Sequence, residues 1–145
     1  MWELVAAGRD LAERHDFRSD TSLLDVGGGS GGLSITIVEA WPRIASTVVE
    51  MHGVAPITRR ILDESASGDR VQVIAANAVK DSLSGSFDVA VMQRLIQVLS
   101  PDDVRRVLKN VRSVIKPGGA IYAYGESLKI LGFDLWVTSL RTTSP

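Results

Sequence analysis

Residues 23–32 read Leu-Leu-Asp-Val-Gly-Gly-Gly-Ser-Gly-Gly and place a carboxylate and five glycines where an apolar strand gives way to a helix. Glycine allows positive φ angles and lets a ligand approach the backbone closely. The first turn of the helix that follows offers unpaired N–H groups and a partial positive charge. The stretch therefore predicts a turn that binds a small molecule beyond the first strand.

Strand-like and helix-like apolar patterns alternate along the chain. Strands are predicted at residues 22–26, 45–50, 71–75, 87–92 and 120–124. Helices are predicted at residues 1–15, 30–41, 56–65 and 100–115, with an apolar helical tail at 128–140. This alternation implies right-handed crossovers, so we expect an α/β fold with a doubly wound, Rossmann-like, mostly parallel sheet of about five strands. Ligands of such sheets bind at the switch point beside the first strand, where the glycine turn lies.

Length and composition narrow the possible functions. The 145 residues suffice for one domain, which we take as residues 1–145. A formal net charge of -1 gives no reason to expect a nucleic-acid partner. The absence of cysteine excludes disulfides and thiolate metal sites, and no metal is predicted. No apolar run approaches the roughly 18 residues of a spanning helix, so no membrane partner is expected and the predicted location is the cytoplasm.

The glycine turn fits two kinds of cofactor. Gly27, Gly29 and Gly32 satisfy the dinucleotide pattern G-x-G-x-x-G, and Glu50 at the end of the second strand is placed to hold a ribose. Asp25 separates the two alternatives, because its carboxylate would repel the two phosphates of a nicotinamide cofactor. The same carboxylate favours the ammonium and sulfonium groups of S-adenosylmethionine. The charge balance thus favours the methyl donor, and an NAD-dependent oxidoreductase remains the alternative.

Four motifs follow one another along the chain: Leu-Asp-Val-Gly-Gly-Gly-Ser-Gly-Gly at 24–32, Phe-Asp-Val-Ala-Val at 87–91, Leu-Ser-Pro-Asp-Asp at 99–103, and Lys-Pro-Gly-Gly-Ala-Ile-Tyr at 116–122. In this order they resemble class I S-adenosylmethionine-dependent methyltransferases, specifically the small-molecule O-methyltransferases that carry an N-terminal dimerisation domain. The resemblance covers roughly residues 20–126. It implies methyl transfer to a hydroxyl of a small-molecule acceptor, and a homodimer in the full-length form.

The resemblance also implies roles for individual residues of the turn. Gly27, Gly29 and Gly31 would pack against the methionine part of the cofactor. Asp25 would orient the turn and favour the ammonium group, directly or through water.

Three further residues follow later strands and complete the implied cofactor site. Glu50 would accept hydrogen bonds from both ribose hydroxyls, although a solvated strand end is its competing interpretation. Asn77 occupies a place where the family usually has aspartate, and its amide oxygen would face the adenine amino group; alternatively it caps the following loop. Gln93 matches a position that often touches the cofactor in relatives.

No catalytic residue is predicted. Plant-type relatives place a histidine base just before the helix that starts at Ser100, and this chain has Gln97 there. Glutamine is not a base near neutral pH, which leaves three alternatives: deprotonation by other means, a base from outside the chain, or a non-catalytic binding module.

The chain also resembles only part of a methyltransferase domain. The family normally completes its sheet with two further strands, one of them antiparallel, and no segment here predicts them. The apolar tail and the missing dimerisation domain agree with a truncated chain. We therefore expect a fragment, or a truncated gene product, whose missing parts would close the acceptor pocket.

Overall fold

The computed structural model describes residues 2–124 and 137–141. Its strands are β1 (Ser22–Val26), β2 (Ala45–Glu50), β3 (Val71–Ala75), β4 (Phe87–Gln93), β5 (Ile115–Tyr124) and β6 (Val137–Arg141). They form one sheet in the order β3-β2-β1-β4-β5-β6. The first five strands are parallel, and β6 pairs antiparallel with β5. The predicted doubly wound, Rossmann-like sheet is confirmed.

Helices α1 (Trp2–Arg14), α2 (Gly32–Ala40), α3 (Ala55–Asp63) and α4 (Pro101–Arg112) cover the sheet. Successive side chains of a strand point to opposite faces. Leu23 of β1 therefore joins the core cluster that α1, α2 and Leu62 of α3 form on one face. Leu24 and Val26 join the cluster that α4 forms on the other face. Because both faces are covered, the central strands are apolar along nearly their whole length.

The crossover from β3 to β4 is a loop over residues 76–86. Ala78, Val79 and Leu83 of this loop pack on the same cluster as α4. The loop thus takes the place of a covering helix, and it begins at the carboxyl end of β3. Its first residues, 76–80, consequently lie at the end of the sheet where ligands of this fold bind.

The predicted tail differs from the structure. Residues 137–141 form β6, not the end of a helix over 128–140, while residues 125–136 lie outside the described residues. One antiparallel closing strand is therefore present, although the sequence predicted none. An apolar run does not distinguish a buried strand from a helix, and pairing with β5 satisfies backbone groups that an edge strand would leave open.

The 3-10 turn Gly68–Arg70 connects α3 to β3 and holds the end of α2. The Arg70 guanidinium donates to the carbonyl oxygens of Val38 and Pro42, the latter at 2.8 Å. A Cβ on Gly68 would lie 1.9 Å from the carbonyl oxygen of Leu62, which is backbone and cannot move aside alone.

Gly68→Ala is expected to lower the free energy of unfolding by about 1–3 kcal/mol, because it forces this turn apart. Urea unfolding of the 145-residue chain measures the effect. Gly53→Ala is the matched control, since a Cβ there meets no atom within 4 Å, and it should change stability by less than about 0.5 kcal/mol. Equal stabilities of the two variants would contradict the tight packing of Gly68.

Candidate functional site

A cleft of about 280 Å³ opens at the carboxyl ends of β1, β2 and β3. Gly27, Glu50 and Asn77 line it, each from the end of a different strand. Its apolar walls include Val26, Val79, Leu95 and Leu99. A mostly apolar cleft with a few polar groups at the switch point of a parallel sheet is the arrangement that binds small molecules.

The glycine turn forms one side of this cleft. Gly27, Gly29 and Gly31 have φ angles of 72°, 59° and 81°, in the left-handed region that other residues enter at a cost of about 1–2 kcal/mol. The Gly27 N–H donates to the carbonyl oxygen of Val49 at 2.8 Å and ties the turn to β2. Among these three glycines only Gly27 lines the cleft, so ligand contacts of Gly29 and Gly31 stay predictions.

Gly28 is a further constrained position that the sequence analysis did not single out. Its φ is not positive, but a Cβ there would lie 2.8 Å from Oδ2 of Asp25 and 2.8 Å from Cγ1 of Val48. The turn can therefore close over the carboxylate only with glycine at this place. In the sequence, the signal for this constraint was a glycine three residues after an acidic residue in a predicted buried strand.

Asp25 lies beneath the turn and does not line the cleft. Its side chain is fully buried, and Oδ2 accepts a hydrogen bond from the Ser34 hydroxyl at 2.7 Å. The Ser34 and Ser46 hydroxyls lie 2.8 Å apart and extend this network to β2. Oδ1 has no hydrogen-bond partner among the described residues.

Burial raises the pKa of the Asp25 carboxyl to about 6, against an opposing effect of the Ser34 hydrogen bond and with a small addition from the charge of Glu50. Asp25 lies directly beneath Gly28 of the turn, and its orienting role stays a prediction. Its predicted contact with an ammonium group stays a prediction.

Glu50 ends β2 and lines the cleft beside Gly27. It is half-buried, and burial raises the pKa of its carboxyl. Its backbone oxygen accepts from the Ala76 N–H at 2.9 Å, which joins the end of β2 to the loop after β3. Glu50 is thus a half-buried residue of the cleft wall, and its hydrogen bonds to ribose hydroxyls stay a prediction.

Asn77 is the second residue of the loop after β3, and its side chain caps that loop. Its Oδ1 accepts from the N–H groups of Val79 at 3.0 Å and Lys80 at 3.2 Å. Its own N–H donates to Oδ2 of Asp81 at 2.8 Å. The side-chain oxygen of Asn77 thus caps the loop, as in the alternative interpretation, and both of these hydrogen bonds go to the loop backbone.

Asn110 of α4 holds the same loop from the opposite side. Its Nδ2 lies 2.8 Å from the carbonyl oxygen of Ala78, 3.1 Å from that of Val79 and 3.2 Å from that of Asp81. Two amide hydrogens are shared among three acceptors. Since Ala78 and Val79 line the cleft, Asn110 fixes one of its walls without lining it.

The region after β4 places other residues at the cleft than the sequence suggested. Gln93 ends β4 but does not line the cleft, so its cofactor contact stays a prediction. Gln97 lies in the 3-10 turn Ile96–Val98 and is half-buried. Leu95 and Leu99 line the cleft instead, and nothing in the sequence pattern distinguished them from core residues.

Asp103 also lines the cleft, at the start of α4. Its N–H donates to the Ser100 hydroxyl at 3.2 Å, and its carboxylate pairs with Arg106 at 3.0 Å.

The described residues contain no group of three or more side chains suited to a metal ion. None of the described helices is both long and apolar enough to span a bilayer.

Comparison with known proteins identifies relatives of this domain. The family model of the O-methyltransferase domain matches residues 1–128. The mitomycin biosynthesis 6-O-methyltransferase of Streptomyces lavendulae is 28% identical over 114 residues, which cover 79% of this chain and 32% of that protein. The aclacinomycin 10-hydroxylase RdmB of Streptomyces purpurascens is 30% identical over 123 residues, covering 81% and 33%. The chain thus spans about a third of the length of these relatives.

Solved structures share the fold. The mitomycin 7-O-methyltransferase MmcR superposes with a TM-score of 0.75 at 24% identity, over 82% of this chain and 35% of that one. The pyocyanin biosynthetic protein PhzM superposes with a TM-score of 0.72 at 26% identity, over 81% and 35%.

Asp25 should make the stability of the chain depend on pH. Its folded pKa of about 6 lies above the ordinary value of 3.8, so the folded state binds this proton more tightly. The contribution of protonated Asp25 to the free energy of unfolding is fully present below about pH 4 and is lost as the pH rises through about 6. Relative to Asp25→Asn, which cannot ionise, the unmodified chain should lose on the order of 2 kcal/mol between pH 4 and pH 7.

Urea unfolding of both proteins across this pH range measures the difference. Other carboxyls contribute equally to both proteins, so their effects cancel. One example is Asp88: burial raises its pKa, but hydrogen bonds from the Thr21 and Ser22 N–H groups and from Lys116 together lower it. A difference that stays constant with pH would show that Asp25 does not titrate in this way.

Asn110 should control the mobility of the loop at residues 77–81. Asn110→Ala and the isosteric Asn110→Asp both remove the amide donor, at a cost of about 1–3 kcal/mol. Hydrogen exchange at Val79 and Lys80 should therefore become faster, while β1 and β4 keep their protection. Lys109→Ala, an exposed neighbour on α4, is the control. Unchanged exchange in Asn110→Asp would mean that the loop holds its own shape.

Proposed function

Because the chain belongs to the O-methyltransferase domain family, we propose that its cleft binds S-adenosylmethionine and that the full-length protein transfers the methyl group to a hydroxyl of a small molecule. The observation that carries the proposal is the convergence of Gly27, Glu50 and Asn77 at the ends of three adjacent strands. Of the relatives named above, the mitomycin biosynthesis 6-O-methyltransferase supports it.

The residues of the cleft fit the adenosine half of this cofactor. The Glu50 carboxylate offers two acceptor oxygens, which suit two neighbouring ribose hydroxyls. Gly27 lets that part of the ligand approach the backbone, and the side chains of Val79, Leu95 and Leu99 offer apolar surface to a purine ring.

The charges around the turn suit a cationic ligand. Burial raises the pKa of both Asp25 and Glu50, which means that each carboxylate ion is disfavoured by desolvation. A ligand with an ammonium and a sulfonium group stabilises these ions, whereas two phosphates would destabilise them. The nicotinamide alternative therefore has the unfavourable charge balance, and no relative named above supports it.

When bound, S-adenosylmethionine supplies an electrophilic methyl group for in-line displacement by the acceptor. The turn and Glu50 would fix the cofactor, and such positioning supplies up to about 7–11 kcal/mol of a barrier. Gln97 cannot remove the acceptor's proton, and we assign no catalytic base among the described residues. We propose that the parts of the full-length protein beyond this chain complete the acceptor side.

Two further properties of the full-length protein belong to this proposal. The resemblance to O-methyltransferases with an N-terminal dimerisation domain supports a homodimer. The absence of cysteine is compatible with a reducing compartment and supports a cytoplasmic location.

The cofactor proposal is tested by calorimetry on the 145-residue chain with S-adenosylmethionine, S-adenosylhomocysteine and NAD. We expect the first two to bind more tightly than NAD. Glu50→Gln should weaken them about tenfold, because it removes the charge from the ribose acceptor. Gly29→Val should weaken them at least as much, because valine is strained at a φ of 59°.

Gly118→Val is the matched control for the glycine variant. Gly118 also has a positive φ, of 80°, but it does not line the cleft and a Cβ there meets no atom within 4 Å. It should leave cofactor affinity unchanged. The proposal would be refuted if neither S-adenosylmethionine nor S-adenosylhomocysteine bound at about 1 mM, or if NAD bound more tightly than both.

A further inference from the structure

The orientation of the Asn77 amide is fixed by its own loop. Its Oδ1 accepts from two backbone N–H groups, of Val79 at 3.0 Å and Lys80 at 3.2 Å. A planar amide oxygen has two lone pairs, so both are used. Exchanging the oxygen and nitrogen positions would set the NH₂ group against these two donors, which excludes the flipped amide.

The rest of the loop opposes any release of this oxygen. The Asn77 N–H donates to Oδ2 of Asp81 at 2.8 Å, and the Asp81 N–H returns to the Asn77 carbonyl at 2.8 Å. Asn110 holds the carbonyl groups of Ala78 and Val79 from α4. Turning the Asn77 side chain toward a ligand would leave the Val79 N–H without its acceptor. It would also take from the Lys80 N–H one of its two acceptors, the other being the Asn77 carbonyl oxygen at 3.1 Å.

The Nδ2 group of Asn77 is the part of the side chain left for a ligand. It makes no hydrogen bond to any residue that the structure describes, and Asn77 is half-buried in the wall of the cleft. This group has two donor hydrogens and no acceptor capacity. An adenine presents both kinds of partner, namely ring nitrogens that accept and an exocyclic 6-amino group that donates.

We propose that Asn77 recognises the purine of the cofactor by donating from Nδ2 to a ring nitrogen, and that this side chain does not read the 6-amino group. The assignment rests on the cofactor binding proposed above. It reverses the role expected from the sequence, in which the amide oxygen accepts from the amino group. Aspartate at this place would keep the two loop contacts through one oxygen and offer the second oxygen to the amino group.

The test compares S-adenosylhomocysteine with its analogue that lacks the 6-amino group, by calorimetry on the 145-residue chain. The unmodified chain should bind the two ligands within about threefold of each other. Asn77→Asp should gain discrimination and bind the amino-bearing ligand at least about tenfold more tightly than the analogue. Asn77→Ser keeps an oxygen for the loop but removes Nδ2, so it should weaken both ligands equally, by about fivefold or more.

Thermal unfolding and hydrogen exchange at Val79 and Lys80 verify that each variant keeps the loop. A tenfold or larger loss by the unmodified chain on removal of the amino group would overturn the assignment. So would a folded Asn77→Asp variant that shows no discrimination. Failure of S-adenosylhomocysteine itself to bind the unmodified chain would instead refute the cofactor proposal, so the two failures are distinguishable.

Discussion

The hydrogen bond from Ser34 to the buried carboxylate of Asp25 is the interaction on which the glycine turn depends. Asp25 belongs to β1, Ser34 to α2, and Ser46, which extends the network, to β2. This buried network thus links β1, α2 and β2, and it holds the start of α2 and the turn before it against the sheet. Gly28 has to be glycine because the turn lies directly on this carboxylate. The conformation of the turn therefore follows from a polar group inside the core.

The opposite wall of the cleft has a separate origin. The loop after β3 contains no helix, and its shape comes from Asn77 within it and Asn110 outside it. Asn110 acts from α4, which covers the face of the sheet that Asp25 does not share. The two walls are consequently fixed from opposite faces, and the sheet between them sets their separation. A substitution under one wall should therefore leave the other wall in place, as independent sites usually behave.

Local patterns were sufficient to predict the sheet, because β1, β2 and β3 are short β-branched or apolar runs bounded by turn residues. They also predicted the Ser100 cap, which is a contact between residues three apart. They failed where the partner is distant in sequence. Asn110 binds carbonyl groups 29–32 residues away in the sequence. Strand β6 forms by antiparallel pairing with β5, whose edge is otherwise unpaired on that side among the described strands. Whether Oδ1 or Nδ2 of Asn77 faces the loop likewise depends on the loop's backbone geometry, which the residue types alone do not predict.

The two carboxylates lead us to expect that this turn selects its ligand by charge as well as by shape. Asp25 is buried, one of its oxygens has no hydrogen-bond partner among the described residues, and Glu50 adds to the rise of its pKa. Desolvation by the protein disfavours the ionised form of both groups. A cationic ligand stabilises the ionised form, and the free energy regained contributes to its affinity. A ligand of the same shape with phosphates would oppose that ionisation, so the G-x-G-x-x-G spacing alone does not determine the cofactor.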